Sequence, residues 1–565
     1  MINNFIEEKL QKVLDTLHYD IKAKVIISNR KDLCDYQFDG AFSYAKILHQ
    51  NPYDISLNIV NKFNEIYETE DDFSKIEAVR PGFINFTLSD KFINNLIVDM
   101  SKNEKFNISL PQPQKIIIDY GGPNIAKPLH VGHLRSAIVG ESIKRILKYF
   151  NNEVIGDVHL GDYGLQIGQV IYGLKEKNIA KENITIELLD QIYPEMSQKC
   201  KENEEIKQKC AEITKELQDG NEEYQEYFKL IRKVSGDDIL RIYNYLDVHY
   251  DLWYGESDAY PYIDKVKKDL EKRNLLVDSN GAKIVNVSKP TDEVEVPPFI
   301  FQKSNGAYLY GTTDLGTIYQ RIEDFKPDNI IYVTDLRQKM HFTQLFRVCE
   351  KLGLTNHIKF EHLGFGTVNG KDGKPFKTRA GTAPKLDELF KETKEVFLKS
   401  NSKNTNMKEE DLDILVNAII KFADLQNNRE KDYIFDITKF SEVVGKTGPY
   451  ILYTYLRIAN ILNNEEKVES NLSNVIYNNV DRNLRIKILE LENTLIYSAN
   501  TRLPSILANY LYELCVNLNA FYENNHINNL DDQNKKNDWL FVLRLANNII
   551  KEMLDLLSIK IPERM

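Results

Sequence analysis

Hydrophobic and polar residues follow three successive patterns along the 565-residue chain. Residues 1–108 mix short helical periods with strand-like runs such as Phe83–Leu88. Between 109 and 400, apolar strand patterns alternate with helical periods, and a charge-rich helical insertion occupies about 170–300. Helical periods dominate from 401 to 565. The sequence predicts an N-terminal α+β domain, an α/β domain with a doubly wound parallel sheet, and a C-terminal all-α helical bundle.

Three apolar runs in the middle domain have the character of strands in a parallel sheet: Ile116–Tyr120, Ala307–Asp314 and Asn329–Asp335. The first is followed by Leu134–Leu147, whose apolar residues recur at helical spacing. The segment between them, Pro123–His133, therefore joins a strand to a helix. In an open parallel sheet such a junction binds nucleotides, because the helix N-terminus offers free N–H groups and a positive dipole to phosphate.

The junction carries side chains that are suited to a phosphate group. His130 and His133 can donate hydrogen bonds to phosphoryl oxygens as negative charge builds there. Gly132 allows a ligand to approach the backbone closely, and Lys127 adds a positive charge. A metal-binding His-x-x-His, or two incidental loop histidines, would give the same spacing. The position between strand and helix favours the phosphate site.

A second segment with phosphate-binding character is the loop Asn369–Arg379, which combines glycines with three lysines and an arginine. Mobile lysines can neutralise a pyrophosphate leaving group and then move away. Taken alone, such a loop is most often a solvated turn. Its combination with the histidine segment favours phosphate chemistry.

Composition and charge narrow the class of protein. A 42% hydrophobic and 28% charged composition is typical of a soluble globular protein. The sequence contains no signal-peptide pattern and no apolar run long enough to span a bilayer, so we expect a cytoplasmic protein. The five cysteines are scattered without a Cys-x-x-Cys pair, which predicts reduced thiols and no zinc site. The net charge of −11 is weak evidence against an RNA partner.

The sequence around His130 and His133, Pro-Asn-x-Ala-Lys-Pro-x-His-x-Gly-His-x-Arg-Ser, resembles the HIGH signature of class I aminoacyl-tRNA synthetases, and of the arginyl-tRNA synthetases in particular. The loop at 369–379 resembles their KMSKS loop, with Lys374 and Lys377 at the lysine positions and Pro375–Phe376 in place of Met-Ser. The resemblance implies a Rossmann-type catalytic domain at 109–400. It also implies an N-terminal domain at 1–108 that contacts the tRNA core or D-loop, and an anticodon-binding domain at 401–565.

The resemblance assigns roles to individual residues. Catalytic roles fall to Lys127, His130, His133 and Lys377. ATP contacts fall to His130, Gly132, His133, His341, Lys374 and Lys377, and arginine contacts to Asp119, Asn124, Tyr310, Asp314 and Gln338. Carboxylates are the expected partners of an arginine substrate, because guanidinium is bound best by charge-assisted pairs. We expect Asp119 and Asp314 at strand ends that meet in the nucleotide crevice. Asp119 stands where the family often has glutamate, so its reach is one methylene shorter.

Candidate tRNA contacts lie near the start of the helical C-terminal region. Tyr450, Tyr453 and Arg457 form an aromatic and basic cluster that can stack on and pair with loop nucleotides. Core packing of a tyrosine-rich helix would explain the same pattern for part of this set. The neighbouring Gly445–Lys446–Thr447 is not a P-loop, because Phe440 stands where the first glycine of that motif belongs.

The resemblance implies that the chain activates L-arginine with Mg-ATP to arginyl-adenylate and transfers it to the 3′ end of tRNA(Arg), giving AMP and diphosphate. We expect a monomer whose partners are tRNA(Arg), arginine and ATP, with no metal held by the protein and no membrane. Two other classes share some of these features: another nucleotidyltransferase with a HIGH-like signature, and a non-catalytic RNA-binding relative. The N- and C-terminal domains count against the first, and the presence of both histidines and Lys377 against the second.

Overall fold

A computed structural model of the chain describes residues 2–376, 384–401, 407–463, 465, 472–527 and 530–565. The backbone forms two units. The first comprises residues 1–109, 454–497 and 510–551, and the second comprises 110–453, 498–509 and 552–565. Each unit therefore combines segments that are distant in sequence.

The N-terminal residues fold into helices and an antiparallel sheet, as their mixed pattern predicts. The elements in chain order are α1 (Ile2–Thr16), β1 (Val25–Ile27), β2 (Tyr36–Phe38), α2 (Ala41–Leu48), α3 (Pro52–Ile66), β3 (Phe73–Val79), β4 (Phe83–Leu88) and α4 (Asp90–Met100). The strand order is β1–β2–β4–β3, and each neighbouring pair is antiparallel. Phe38, Phe63 and Phe86 are buried in its core, where removal of their apolar surface from water stabilises the fold.

The middle of the chain alternates strands and helices. Its elements are β5 (Lys115–Tyr120), α5 (Val131–Tyr149), β6 (Glu153–Asp157), α6 (Leu165–Glu176), α7 (Ile186–Glu202), α8 (Glu204–Gln218), α9 (Glu222–Tyr245), α10 (Glu256–Ala259), α11 (Ile263–Lys272), β7 (Val277–Ser279), β8 (Ala282–Val285), β9 (Phe299–Gln302), α12 (Tyr310–Phe325), β10 (Asn329–Val333), α13 (Lys339–Lys351), β11 (Lys359–His362), β12 (Val368–Asn369), α14 (Leu386–Ser400), α15 (Glu409–Leu425), β13 (Tyr433–Ile434) and α16 (Ile437–Phe440). Helices α6 to α11 occupy most of the predicted insertion.

A parallel sheet with the order β11–β10–β5–β6 forms the centre of the second unit. Strands β5 and β10 are almost wholly buried, which explains their continuous apolar sequences. After β5 the chain first adds β6 on one side and then returns to place β10 on the other. The carboxyl ends of β5 and β10 therefore form a topological switch point, the usual position of a ligand crevice in an open α/β sheet. This arrangement confirms the predicted α/β class.

The sequence predicts helices from 401 to 565; the short strand β13 interrupts this range, and helices dominate the described residues after 440. They are α17 (Gly448–Asn463), α18 (Asn479–Leu489), α19 (Leu491–Thr501), α20 (Pro504–Asn524) and α21 (Gln533–Leu556). Over the part of the chain that the structure describes, none of the helices is both long and apolar enough to cross a membrane. The cysteines are buried and free of disulfide bonds.

The strand predicted at Ala307–Asp314 is wrong. Tyr308 forms only an isolated bridge with Gln302, and α12 begins at Tyr310. The spacing of Tyr308, Tyr310 and Thr312 imitates a strand, but Leu309 starts the helix because its carbonyl accepts from the backbone N–H groups of Thr312 and Thr313. Asp314 consequently lies in the early part of a helix and not at a strand end.

Candidate active site

A cavity of about 490 Å³ opens where β5 and β10 end. It is lined by residues that follow these two strands, by the start of α5, and by the segment around β12. The predicted site residues in its lining are Asp119, Asn124, His130, Gly132, His133 and Gln338. Residues 130 and 338 are 208 positions apart in sequence, so the sheet topology brings them together.

Ser136 on α5 fixes this helix to both central strands. Its hydroxyl accepts from the N–H of Gly121 at 2.7 Å and donates to the carbonyl of Val333 at 2.6 Å. Gly121 directly follows β5, and Val333 is the last residue of β10. The helix start therefore has a defined position over the ends of the strands.

The two signature histidines cap α5. The Nδ1 atom of His130 accepts from the N–H of Gly132 at 3.0 Å, and the Nδ1 atom of His133 accepts from the N–H of His130 at 3.2 Å. Their rings lie 4.0 Å apart between centroids. A side chain at Gly132 would meet Cε1 of His130 at 2.7 Å, so this close packing requires glycine. Helix capping thus orients both imidazoles.

Burial keeps the two rings uncharged, and the capping bonds fix which nitrogen carries the proton. Burial, followed by the charge of Lys127, lowers the pKa of His130, and burial with the neighbouring His130 lowers the pKa of His133 to about 3. Both rings are therefore neutral at pH 7. Since each Nδ1 accepts a hydrogen bond, each ring carries its proton on Nε2. The pair offers two uncharged N–H donors at a helix N-terminus, where the helix dipole is positive, a combination suited to phosphoryl oxygens.

Asn124 is held in the cavity by two neighbours. Its Oδ1 would clash at 2.2 Å with any side chain at Gly161, and the two residues form a parallel bridge. Gln166 donates to the carbonyl of Gly161 at 2.9 Å and reaches Oδ1 of Asn124 at 3.5 Å. The exposed amide of Asn124 is therefore positioned by the backbone of Gly161.

Asp119 belongs to a buried ionic group. Nη2 of Arg321 lies 2.6 Å from Oδ2 of Asp119 and 2.6 Å from Oδ2 of Asp157. Asp119, Asp157 and His159 offer ligand atoms within 4.8 Å of one another. The guanidinium of Arg321 therefore supplies the positive charge that both carboxylates bond in the structure. Burial raises the pKa of Asp119, and Arg321 opposes that effect.

A second acidic group lies at the start of α12. Nε2 of His341 is 2.6 Å from Oδ2 of Asp314, and the His341 ring contacts Tyr310 with 4.7 Å between centroids. His341, predicted on the ATP side, thus groups with two residues predicted to bind arginine. Burial and the charge of Asp314 raise the pKa of Glu256 to about 7.

Sequence reasoning missed Glu256 and Arg321. Glu256 follows Gly255 in a polar stretch with no pattern that distinguishes it from a surface residue. Arg321 had a detectable signal, because it is a charged residue on the apolar face of α12 and is completely buried. A buried arginine almost always has a carboxylate partner, so its presence predicts one nearby.

The described part of the glycine- and lysine-rich loop lies beside the cavity, where Pro375 and Phe376 contribute to the lining. Lys371 forms an ion pair of 3.0 Å with Asp436, and Lys374 is exposed. Lys377 is outside the described residues. Nζ of Lys127 lies 4.1 Å from the centre of the Tyr193 ring on α7, outside the cavity lining.

The three candidate tRNA contacts lie on α17. Tyr453 is 43% exposed, whereas Tyr450 is half-buried. Nη1 of Arg457 lies 3.4 Å from Oδ1 of Asn519, and its guanidinium stacks over Tyr522 at 5.3 Å. Packing accounts for part of this cluster, and Tyr453 presents the most exposed ring.

Comparison with known proteins covers the whole chain. The sequence profile described as the class I (R) tRNA synthetase catalytic domain matches residues 93–437. The arginyl-tRNA synthetase N-terminal domain matches 1–88, and the DALR anticodon binding domain matches 451–565.

Related proteins of assigned function match the sequence of this chain over 99–100% of their length. The chain is 39% identical to the arginine–tRNA ligase of Agathobacter rectalis, over 100% of this chain and 99% of that protein. It is 38% identical to the enzyme of Francisella tularensis subsp. holarctica, with 100% of both chains covered. Among solved structures, arginyl-tRNA synthetase from Plasmodium falciparum superposes with a TM-score of 0.82 at 27% identity, covering 100% of this chain and 99% of that one. The chain therefore belongs to the arginyl-tRNA synthetase family of class I aminoacyl-tRNA synthetases.

Proposed function

We propose that this chain is an arginine–tRNA ligase whose reaction takes place in the cavity at the ends of β5 and β10. The observation that carries the proposal is the pairing of opposite chemistries in one unit. Neutral N–H donors stand at a helix N-terminus, and a cluster of carboxyl groups surrounds α12. The first fits the phosphates of ATP and the second fits the guanidinium of arginine.

In the first step, a carboxylate oxygen of arginine attacks the α-phosphorus of ATP. The bond from that phosphorus to the bridging oxygen breaks, and diphosphate leaves with the electron pair. Nε2–H groups of His130 and His133 donate to the phosphoryl oxygens, whose negative charge grows in the transition state. Both rings are held by capping bonds, so little reorganisation is needed at that moment.

Positive charge on the diphosphate comes from Lys127, Lys374 and Lys377. Lys127 contacts Tyr193 in the structure, and a cation–π contact of this kind is weak enough to be exchanged for phosphate. The Mg²⁺ that accompanies ATP belongs to the substrate complex and would neutralise further charge on the phosphates. Gly132 leaves the helix N-terminus accessible to them.

Arginine would bind with its guanidinium towards Asp314 and its α-amino group near Asn124. Asp119, Tyr310 and Gln338 complete the proposed amino-acid contacts. One carboxylate oxygen of Asp119 already bonds Arg321. Asp119 would therefore act on arginine through its negative charge and through a hydrogen bond to its second oxygen. His341 holds Asp314 through a 2.6 Å bond, which gives it a positioning role as well as the proposed place near ATP.

In the second step, a terminal ribose hydroxyl of tRNA attacks the carbonyl carbon of arginyl-adenylate, and AMP leaves. We assign residues 1–108 to contacts with the tRNA core, 109–400 to catalysis and 401–565 to the anticodon stem-loop. Tyr450, Tyr453 and Arg457 are the proposed anticodon-side contacts. We further propose that the protein acts as a monomer in the cytoplasm.

Pyrophosphate exchange with each of the twenty amino acids, with and without total tRNA, tests the function. We expect exchange with arginine, and we expect it to require tRNA, as the resemblance to arginyl enzymes implies. Exchange with another amino acid would assign a different substrate. No exchange, together with tight binding of tRNA, would favour a non-catalytic RNA-binding protein.

A further inference from the structure

Arg135, the fifth residue of α5, has a buried guanidinium that reaches the segment leading into the lysine-rich loop. Its side chain is 2% exposed. Nη1 donates to the carbonyl of Gly366 at 2.7 Å and to that of Lys431 at 3.1 Å, while Nε lies 3.1 Å from Oδ2 of Asp424. A single side chain on the histidine helix thus bonds three separate segments of the chain.

Gly366 lies three residues before Asn369, where the loop begins. The carbonyl of Gly366 accepts from Arg135, and its N–H donates to the carbonyl of Arg429 at 2.9 Å. A side chain at Gly366 would meet backbone atoms of Lys431 and Asp432 at 2.7 Å. The backbone here is therefore packed as closely as glycine allows.

The neighbouring bonds extend this packing to the loop itself. The N–H of Thr367 donates to Oδ1 of Asp432 at 2.6 Å, and β12 pairs in parallel with β13. The N–H of Phe376 donates to the carbonyl of Val368 at 3.0 Å, which closes the described part of the loop onto β12. The position of Lys374 consequently depends on β12, and β12 depends on the contacts of Arg135.

We propose that Arg135 is a positioning residue that sets the place of the lysine-rich loop relative to His130 and His133. It does so from the same helix that these histidines cap, so the two phosphate-binding segments share one rigid element. A guanidinium is suited to this role because its fixed fork can bond two carbonyls and a carboxylate together, whereas an ammonium group bonds as a point charge. The inference rests on the proposed function for its kinetic part only.

Two variants disturb this connection in different ways. Arg135→Lys keeps the charge but loses the fork. Gly366→Ala leaves the ion pair intact and pushes β12 away from Lys431 and Asp432. We expect both variants to reduce kcat for tRNA-dependent pyrophosphate exchange about ten- to hundredfold, since a displacement of about 1 Å has costs of this order. KM for arginine should stay within about twofold, because the arginine contacts lie elsewhere.

Matched controls separate positioning from general damage. Arg485→Lys alters another buried arginine, whose Nε lies 2.7 Å from Oδ1 of Asp481 in the first unit. Gly236→Ala adds a methyl group where no atom lies within 4 Å. The melting temperature of every variant is measured first. Below its melting temperature, neither control should have an altered kcat.

Hydrogen–deuterium exchange of the peptide covering residues 363–376 provides a readout that does not require catalysis. We expect exchange of these amides to be at least about tenfold faster in Arg135→Lys and Gly366→Ala, and unchanged in the controls. The proposal is overturned if protection in the peptide is unchanged, or if protection is lost while kcat stays at the parent value. A loss of kcat matched by Arg485→Lys would also overturn it. If the parent protein shows no exchange of pyrophosphate, the proposed function fails, and the protection of this peptide alone decides the positioning role.

Discussion

The start of α5 and the start of α12 are both rich in titratable side chains, but their electrostatics differ. At α5, burial lowers the pKa values of His130 and His133, so two bases remain uncharged and act as donors. At α12, burial and neighbouring carboxylates raise the pKa of Glu256 to about 7, so this carboxyl group is only partly ionised at neutral pH until a cation binds beside it. Burial suppresses charge in both places.

The difference indicates which end of the substrate pair each region suits. Uncharged donors can stabilise charge that develops during reaction without attracting an anion so strongly that the ground state is stabilised equally. An acidic cluster whose repulsion is relieved by a cation gains affinity for that cation. The first region is therefore expected to act on rate and the second on substrate affinity.

The largest effect should come from His130→Ala and His133→Ala. Each removes a donor to phosphoryl oxygens, which typically costs about 3–4 kcal/mol, or roughly a hundred- to thousandfold in kcat for pyrophosphate exchange. Arginine affinity should be nearly unchanged. His357→Ala, at an exposed position, is the control. If either variant only raised KM for arginine, the imidazoles would belong to the amino-acid site, and the contrast between the two regions would disappear.

Asp314→Asn should have the opposite effect and change the affinity for arginine more than the rate. The amide keeps the shape of the carboxyl group but cannot pair with guanidinium, and loss of one partner of a buried charge pair costs about 2–5 kcal/mol. We expect a rise of at least about thirtyfold in KM for arginine, with little change in KM for ATP, and poorer discrimination against citrulline. Glu323→Gln, near the other end of α12 in an exposed pair with Lys265, should have no effect. Unchanged discrimination against citrulline would exclude Asp314 as the guanidinium partner.

The pKa of Glu256 predicts how KM for arginine depends on pH. Its carboxyl group is mostly protonated at pH 6 and mostly ionised at pH 8, while the guanidinium of arginine keeps its charge throughout. KM for arginine should therefore fall about tenfold from pH 6 to pH 8. His133, with a pKa of about 3, stays neutral over this range and contributes no titration.

Two variants test the origin of that pH dependence. Glu256→Gln should make KM for arginine independent of pH between 6 and 8. Asp314→Asn removes the neighbouring negative charge that helps raise the pKa of Glu256, so the midpoint should move to lower pH. A midpoint that stays near pH 7 in Glu256→Gln would assign the titration to another group.

The fold was predictable to the extent that local pattern determines it. Strand β5, helix α5 and the junction between them follow from apolar runs and helical spacing, and the structure confirms them. The region 307–314 was not predictable in this way. Tyr308, Tyr310 and Thr312 recur with a period of two, as in a strand, but the chain forms a helix that begins at the carbonyl of Leu309, and the hydroxyl of Thr312 in that helix donates to the carbonyl of Phe301.

The site was predictable where a residue type is sufficient evidence, and not where a tertiary contact is needed. Two histidines at a strand-to-helix junction indicate phosphate binding from the sequence alone. Nothing local indicates that Arg135 bonds Gly366, which is 231 positions away, or that Asp314 shifts the pKa of Glu256. Such pairings depend on the topology of the sheet.

The smallest effect is expected at the exposed end of the loop, where Lys371 pairs with Asp436 at 3.0 Å. An exposed ion pair contributes about 0.2–1 kcal/mol and is screened by salt. Lys371→Gln should therefore lower kcat for pyrophosphate exchange by no more than about fivefold at low ionic strength, with the difference lost near 1 M salt. Asp436→Asn should behave alike, because asparagine can keep the hydrogen bonds that Asp436 accepts from the backbone N–H groups of Thr438 and Lys439. The comparison with Arg135→Lys, whose effect should persist at high salt because the guanidinium is buried, separates a screened surface pair from a buried connection. A larger, salt-resistant loss in Lys371→Gln would instead mean that Lys371 contacts the diphosphate directly.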